Sequence, residues 1–450
     1  MSPVPHAAQT LDSVLTDPQE QLLASACRKN AWRLVAVLAV AYVINYLDRN
    51  SIAYAGLTMN EALGLTARQF GWAAGVTVFS YALLEIPSNL FMQKVGARLW
   101  LSRIMITWGI AAMAGAWVVG PYSLYLSRLI LGAAEAGFFP GVIMYLATWF
   151  PSRYRAQVFA WFTLAIPVSS LVGGPAAGFL LGLNGYLHLA GWQWIFLAVG
   201  APAVFLGLLT YVFLADHPRD AHWLTADERN ALLEALAGER HPRAEHNFGA
   251  ALKDVRVLTL TVIQFGFTLG SYGISIWLPL ILKEHHLTNM TIGLLSVPVY
   301  LAASLGMLIW ARRADHQSGK ILHLTLACSL AAIGLAGSVL ASGLTLQLSA
   351  LTVALIGVSA ARAVFWTIPP RFLVGTAAAG GLAFINSVGT LGGFFGPFTM
   401  GWLKDLTGSF NSGLALMAVI LVIAAAFAAS LRFLIKEDAV QTEGGAAPGR

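Results

Sequence analysis

Twelve apolar stretches of roughly 20 residues run along this chain, each long enough to cross a bilayer as a helix. They begin near Trp32, Phe70, Leu99, Tyr122, Ala156, Trp192, Val255, Met290, Ile321, Thr345, Gly380 and Leu414. In hydrocarbon every backbone N–H and C=O must be satisfied within the segment, so helices are the expected solution. Composition agrees: 57% of the 450 residues are hydrophobic and only 11% charged. An ordinary soluble domain carries about 25% charged residues. The expected fold is therefore an all-α integral membrane protein, with twelve transmembrane helices in two six-helix bundles.

The one long polar connection follows the sixth stretch. It divides the chain into a tail (1–30), a first six-helix bundle (31–215), a central loop (216–254), a second bundle (255–435) and a short end (436–450). Within the loop, "HWLTADERNALLEAL" offers Thr225 as the cap of an amphipathic helix. Leu232, Leu233 and Leu236 of that helix are expected along the membrane surface. Span five, "SSLVGGPAAGFL", and span eleven, "NSVGTLGGFFGPFTMGWL", share small residues and a Gly-Pro, the mark of a duplicated bundle.

Basic residues set the orientation. With both termini in the cytoplasm, Arg28, Lys29, Arg33, Lys94, Arg98, Arg103, Arg153 and Arg155 fall inside in the first half. Arg240, Arg243, Lys253, Arg312, Arg313, Arg432 and Lys436 join them, while Arg68, Lys283 and Lys404 fall outside. That bias is the positive-inside pattern, and it accounts for the net charge of +6 without nucleic acid. The first 30 residues lack the basic start, apolar run and cleavage site of a signal peptide. Cys27 and Cys328 are the only cysteines, and no histidine is spaced for metal binding. No GxxxxGK[ST] loop is present, which removes the signature of ATP-driven transport.

Five charges lie deep in apolar spans: Asp48 and Arg49 in "YLDRNS", Arg128 and Glu135 in "RLILGAAEAGFFPG", and Arg362 in "SAARAVFW". Glu85 sits nearer the inner end of span two. Each such charge costs roughly 2.5–3.5 kcal/mol at a helix centre on insertion scales, so intramembrane ionisable residues are functional by default. The structural alternative is that they pair and fasten the first bundle. Arg128 and Glu135 are two turns apart on one face, about 10 Å along the axis. Arginines keep their charge and grip carboxylates in a fork, whereas carboxyls removed from water exchange protons. Cationic groups beside titratable acids form the minimum apparatus for coupling an anion to a proton.

"YLDRNSIAYAGLTM", "EIPSNLFMQKVGARLWLSRIMITWG", "SRLILGAAEAGFFPGVIMYLATWFP" and "FINSVGTLGGFFGPFTMGWLKDLTGS" together resemble the major facilitator superfamily, in its anion:cation symporter branch. The resemblance covers about residues 30–435 and is most specific in the first half. It implies that Asp48 and Glu135 are proton-coupling acids and that Arg49 and Arg128 meet the substrate carboxylate. Tyr46 and Tyr81 match aromatic cavity positions. Gln264, Trp366 and Asn386 resemble polar and aromatic ligands of the second half, or serve in ordinary interhelical bonding and packing.

The superfamily loop after span two resembles G-x3-D-R-x-G-R. Here "NLFMQKVGAR" has Asn89 at the first glycine and Gln93 at the acidic position, keeping Lys94 and Gly96 and moving the basic residue to Arg98. The related loop "ARRADHQSGK" retains Asp315. These residues are expected to brace or gate. Arg362 stands where the branch is expected to have a small or polar residue. It is either a third cavity cation favouring dicarboxylates or a snorkelling anchor near the end of span ten.

The implied activity is proton-coupled import of a small organic carboxylate, tartrate-like, aromatic or sugar acid, by alternating access. A monomer in a bacterial inner membrane is expected, with the proton as coupling ion and no cofactor. An antiporter or facilitator without protons would share these residues. A membrane enzyme or sensor would need a catalytic constellation or a large soluble domain that this sequence does not offer.

Overall fold

The computed structural model describes residues 18–239, 254–316, 319–373 and 376–435. Arg240, Arg243, Lys253, Lys436 and Arg450, part of the central loop, and the ends of both tails lie outside these residues. Among the described residues the secondary structure is helical. The N-terminal segment begins as α1 (Pro18–Asn30), passes through a π-helical turn at Ala31–Val35, and continues as α2 (Ala36–Ala62), the first span. Leu23, Ala26, Cys27 and Asn30 repeat at helical spacing and are buried. That stripe explains why a segment read as a polar tail is a packed helix from Pro18 onward.

Spans two and three are α3 (Ala67–Val95) and α4 (Ala97–Ala114). Span four is broken into α5 (Pro121–Glu135) and α6 (Phe138–Trp149), and span five into α7 (Ser152–Thr163) and α8 (Ala165–Gly182). Span six is α9 (Gly191–Phe213), and the central loop contributes α10 (Ala226–Ala237). Spans seven to ten are α11 (Val255–Lys283), α12 (Asn289–His316), α13 (Lys320–Leu340) and α14 (Leu344–Phe365). Span eleven is interrupted between α15 (Thr376–Thr390) and α16 (Gly392–Thr407), and α17 (Asn411–Leu434) is the twelfth. Among the described residues eleven helical stretches are long and apolar enough to cross a membrane, the two-part spans four and five included, and the interrupted span eleven brings them to the expected twelve. Leu83, Phe205 and Ile333 are more than 60% exposed, as lipid contact requires.

The chain gathers into two compact units: Met1–Ala55 with Ser80–Arg243, and Gly56–Phe79 with Ala244–Arg450. In the first, Tyr42 stacks on Phe139 and Phe162, with ring centroids 5.4 and 4.5 Å away. The exit of span six is tied back through Tyr145, whose hydroxyl donates to the Ala215 carbonyl at 2.8 Å. In the second unit, the start of α3 packs beside α16. Asp405 accepts hydrogen bonds from the Ala67 and Arg68 backbone N–H groups at 3.0 and 2.8 Å.

The central-loop helix forms as read. Thr225 Oγ1 accepts from the Glu228 N–H at 3.3 Å, and Glu228 accepts from the Thr225 N–H at 2.9 Å. Its apolar face, however, meets protein. Leu232 is fully buried in the core of the first unit, while Leu233 remains exposed. Glu228 is held by Lys29 and Ser25 of α1, which fastens the helix to the N-terminal segment.

Candidate functional site

The deepest charges of the first unit converge between spans one and four. Asn45, Asp48 and Arg49 lie within four residues on α2, so Asn45 shares a helix face with both charges. Asp48, Arg128 and Glu135 are only 1–2% exposed. Adjacent residues on a helix point about 100° apart, so Asp48 and Arg49 do not satisfy each other. Arg49 finds its counterpart on span four. Arg49 Nε donates to Glu135 Oε1 at 2.6 Å, and Asn45 Nδ2 donates to the same oxygen at 2.8 Å. Asp48 instead lies in the electrostatic field of Arg128, Glu135 and Arg49.

The Asp48–Arg128 side of this lattice is left open. Both Asp48 oxygens, Arg128 Nε and Nη2 and the Trp108 indole N–H are buried without a hydrogen bond of ordinary geometry among the described residues, although the Trp108 indole lies close enough to Asp48 to act on its carboxyl. The Arg128 guanidinium rests 4.4 Å from the centroid of the Phe196 ring. Arg49 lies 4.6 Å from the Tyr81 ring centroid, and Tyr46 meets Tyr42 edge-on at 5.5 Å. Buried polar groups left unpaired are costly, so this cluster holds hydrogen-bonding capacity that the described protein atoms do not fill. Asn45 and Trp108 belong to it and were not singled out from sequence. The available signal was Asn45 itself, a polar residue in an apolar run one turn before the charges.

The local sequence explains the placement of Glu135. The helix stops directly after it, and Gly137 adopts φ +87° before α6 begins. A Cβ there would also come within 2.6 Å of Ser88 Oγ. Only glycine meets both conditions, and the resulting break lets Glu135 end one helix facing span one.

The predicted second-half residues are described within their own unit. Gln264 Nε2 donates to Asn386 Oδ1 at 3.3 Å, joining α11 to α15, while Gln264 Oε1 is buried and unpaired. Arg362 is half-buried in the last turn of α14, and its Nη2 donates to Ser271 Oγ on α11 at 3.0 Å. It is thus turned onto a neighbouring helix. Trp366 is 38% exposed and packs edge-on against Phe365 at 5.3 Å. Among the described residues no cluster of three or more His, Cys, Asp or Glu side chains could hold a metal ion.

A family model described as the Major Facilitator Superfamily matches residues 38–380. The chain belongs to the major facilitator superfamily. It is 44% identical over 416 residues to a putative tartrate transporter of Agrobacterium vitis, covering 92% of each chain. It is 40% identical over 403 residues to a quinolone resistance transporter of Acinetobacter baumannii, covering 88% of this chain and 92% of that one. Among solved structures it resembles a bacterial homolog of the human lysosomal transporter Spinster, with a TM-score of 0.75 at 16% identity, covering 89% and 97% of the chains. This last likeness concerns the fold. The protein is a multi-pass membrane transporter of the superfamily.

The superfamily loop after span two is hydrogen-bonded to the exit of span six within the first unit. Gly96 takes φ +98°, and a Cβ there would meet Asp216 Oδ1 at 2.7 Å. The same carboxylate accepts from the Arg98 backbone N–H at 2.9 Å, while Arg98 Nε donates to the Tyr211 carbonyl at 2.6 Å. Asp216 thereby caps the start of α4, giving the loop an acid from the exit of span six where Gln93 offers none. Lys94 is exposed. In the second unit, Asp315 pairs with Lys320 at 3.4 Å.

Proposed function

We propose that this transporter is a proton-coupled symporter importing a small organic carboxylate across a bacterial inner membrane, with both termini cytoplasmic. The carrying observation is the Asp48–Arg49–Arg128–Glu135 lattice, in which one acid holds an arginine and the other acid and arginine keep unfilled hydrogen-bonding capacity. The 44% identity to a putative tartrate transporter supports an organic acid as cargo, and the anion:cation symporter motifs point to the same branch.

In this reading the arriving carboxylate competes with Glu135 for Arg49. A proton on Glu135 removes the charge that Arg49 pairs with and frees the guanidinium for the substrate. Arg128 offers its unfilled N–H groups, and Asp48 carries a second protonation beside it. Gln264, Asn386, Trp366 and Arg362 supply the second half's contacts to the rest of the molecule carried. Deprotonation on the cytoplasmic side restores the Arg49–Glu135 pair and expels the anion. The proton is the coupling ion, no cofactor takes part, and a monomer suffices.

The test is transport into liposomes containing a pH-sensitive dye, with tartrate, succinate, galactonate, glucuronate, 4-hydroxyphenylacetate and phthalate added singly. Lumenal acidification that requires one acid, and that disappears in Asp48→Asn, is expected. Glu135→Gln should retain anion exchange while losing accumulation driven by a pH gradient. Anion exchange without acidification for every acid would replace symport with proton-independent antiport, and Asp48 and Glu135 would then be structural partners.

A further inference from the structure

Outside the charge lattice, the most demanding feature of the first unit is the foot of span one. There α1 passes into α2 through the π-helical turn Ala31–Val35. Such turns insert an extra residue into a helix and often mark functional positions. Beside this turn lies a cavity of about 470 Å³. Arg28, Lys29 and Arg33 line it together with Trp32 and Val37, and Phe213 and Trp223 complete its wall.

The three cations are not equivalent. Lys29 is neutralised by Glu228, 2.8 Å away. Arg33 lies 4.5 Å from the Trp223 ring centroid and 5.4 Å from that of Phe213, and its buried Nε has no hydrogen-bond partner. The aromatic rings hold the guanidinium in place without supplying an acceptor. Arg28 is exposed and has no hydrogen bond or ion pair among the described residues. Among the described residues, two arginines, one of them preorganised, therefore face the cavity with no acid paired to either, Glu228 being paired with Lys29. Planar guanidinium groups suit the oxygens of a phosphate.

The cavity also has a direction. From Arg28 to Val37 is nine residues, about 13 Å along a helix, and the lining changes over that length from cationic to apolar. Trp32, at the boundary, is 78% exposed, and Val40 beyond it is 52% exposed. An exposed indole at such a boundary is typical of the membrane interface. Cations with aromatic rings beside them, giving way to an apolar end at Val37, suit a phospholipid from headgroup to acyl chain. A freely soluble anion needs no apolar continuation.

We infer that this cavity binds the phosphodiester of an anionic phospholipid, held by Arg28 and Arg33, with the glycerol and upper acyl chain against Trp32 and Val37. Its assignment to the inner leaflet rests on the proposed orientation; binding itself depends on neither orientation nor transport. Basic pockets at the cytoplasmic ends of spans have the chemistry to hold such headgroups.

Native mass spectrometry of the delipidated protein, titrated with phosphatidylglycerol or phosphatidylcholine, tests this directly. Phosphatidylglycerol should be retained about tenfold more tightly. The preference should vanish in the Arg28→Gln/Arg33→Gln protein and persist in Arg313→Gln, an exposed cation of the second unit. Equal retention of both lipids, or a preference untouched by the double substitution, overturns the site. Displacement of the bound lipid by glycerol 3-phosphate at comparable concentration would make it a soluble-phosphate site and overturn the lipid assignment. Should the double variant not fold, brominated phosphatidylglycerol provides the second readout. It should quench wild-type tryptophan fluorescence more than brominated phosphatidylcholine does, and that excess should be lost in Trp32→Phe. An excess unchanged by Trp32→Phe overturns the placement.

Discussion

At the residue scale, a charge has to be explained wherever water is absent. Arg362 poses that question in the second unit, where the sequence left two readings open. Its contact with Ser271 turns the guanidinium onto α11, and only one of its N–H groups is occupied by that bond. An arginine of this kind has donors left for a second carboxylate, as its reading as a cavity cation favouring dicarboxylates requires. Arg362→Gln should lower kcat/KM for a dicarboxylate roughly tenfold, about 1.4 kcal/mol, and leave monocarboxylate transport nearly unchanged. Liposome uptake of the two substrate types measures the difference. Equal loss for both, or no loss for either, would show that the residue only braces α14 against α11. Arg362, Asp48, Arg49, Arg128 and Glu135 were legible in the sequence because charges in apolar runs are expensive and therefore visible. Asn45 and Trp108 were not. Their importance depends on the span-four break at Gly137 and on helix register, which bring them to Glu135 and Asp48; neither is a property of their own neighbourhood.

At the element scale, α10 shows how much a short motif determines and where it stops. The Thr225–Glu228 capping box was readable because its chemistry is local and its spacing fixed. Which surface the helix covers was not, because the composition of residues 1–30 points to a tail, although the stripe of α1 at Leu23, Ala26, Cys27 and Asn30 is present in the sequence. The two errors are one: without α1 there was no protein surface for Leu232. Glu228 now ties the elements together, and its protonation should loosen them. Burial alone would push its carboxyl up. Hydrogen bonds from Lys29, the Thr225 backbone and Ser25, with the Lys29 charge, outweigh this and bring it from 4.5 down to about 2. A carboxyl depressed in the folded state stabilises the fold above its unfolded value, and that stabilisation is lost as pH falls from about 4.5 through about 2. Wild-type protein should therefore melt about 1–2 °C above Glu228→Gln at pH 7, with the gap narrowing below about pH 4.5 and closing only below about pH 2. A gap of constant size across that range would show that the carboxylate's charge is not what fastens α10 to α1.

At the scale of the whole molecule, twelve apolar runs led to twelve spans because the bilayer sets their length. Interruptions in spans four, five and eleven were harder to see, since small residues and prolines mark many unbroken helices too. What the runs do not reveal is how Gly56–Phe79 groups with the later spans, because that depends on contacts distant in sequence. Phe70 meets Trp277 edge-on at 5.2 Å, and Asp405 caps the first two backbone N–H groups of α3. In the proposed orientation this contact lies at the outer face. The alternating access proposed for this transporter requires a path to that face, so the cap would part once in each cycle. A disulfide between Ala67→Cys and Asp405→Cys would hold it closed. The native Cys27 and Cys328 are both buried and free, so oxidation should act selectively on the introduced pair. Oxidised protein, with the cross-link verified by mass shift, should lose both uptake and exchange, and reductant should restore them. A verified cross-link that leaves exchange at the reduced rate would mean that substrate reaches the outer face without the ends of α3 and α16 separating.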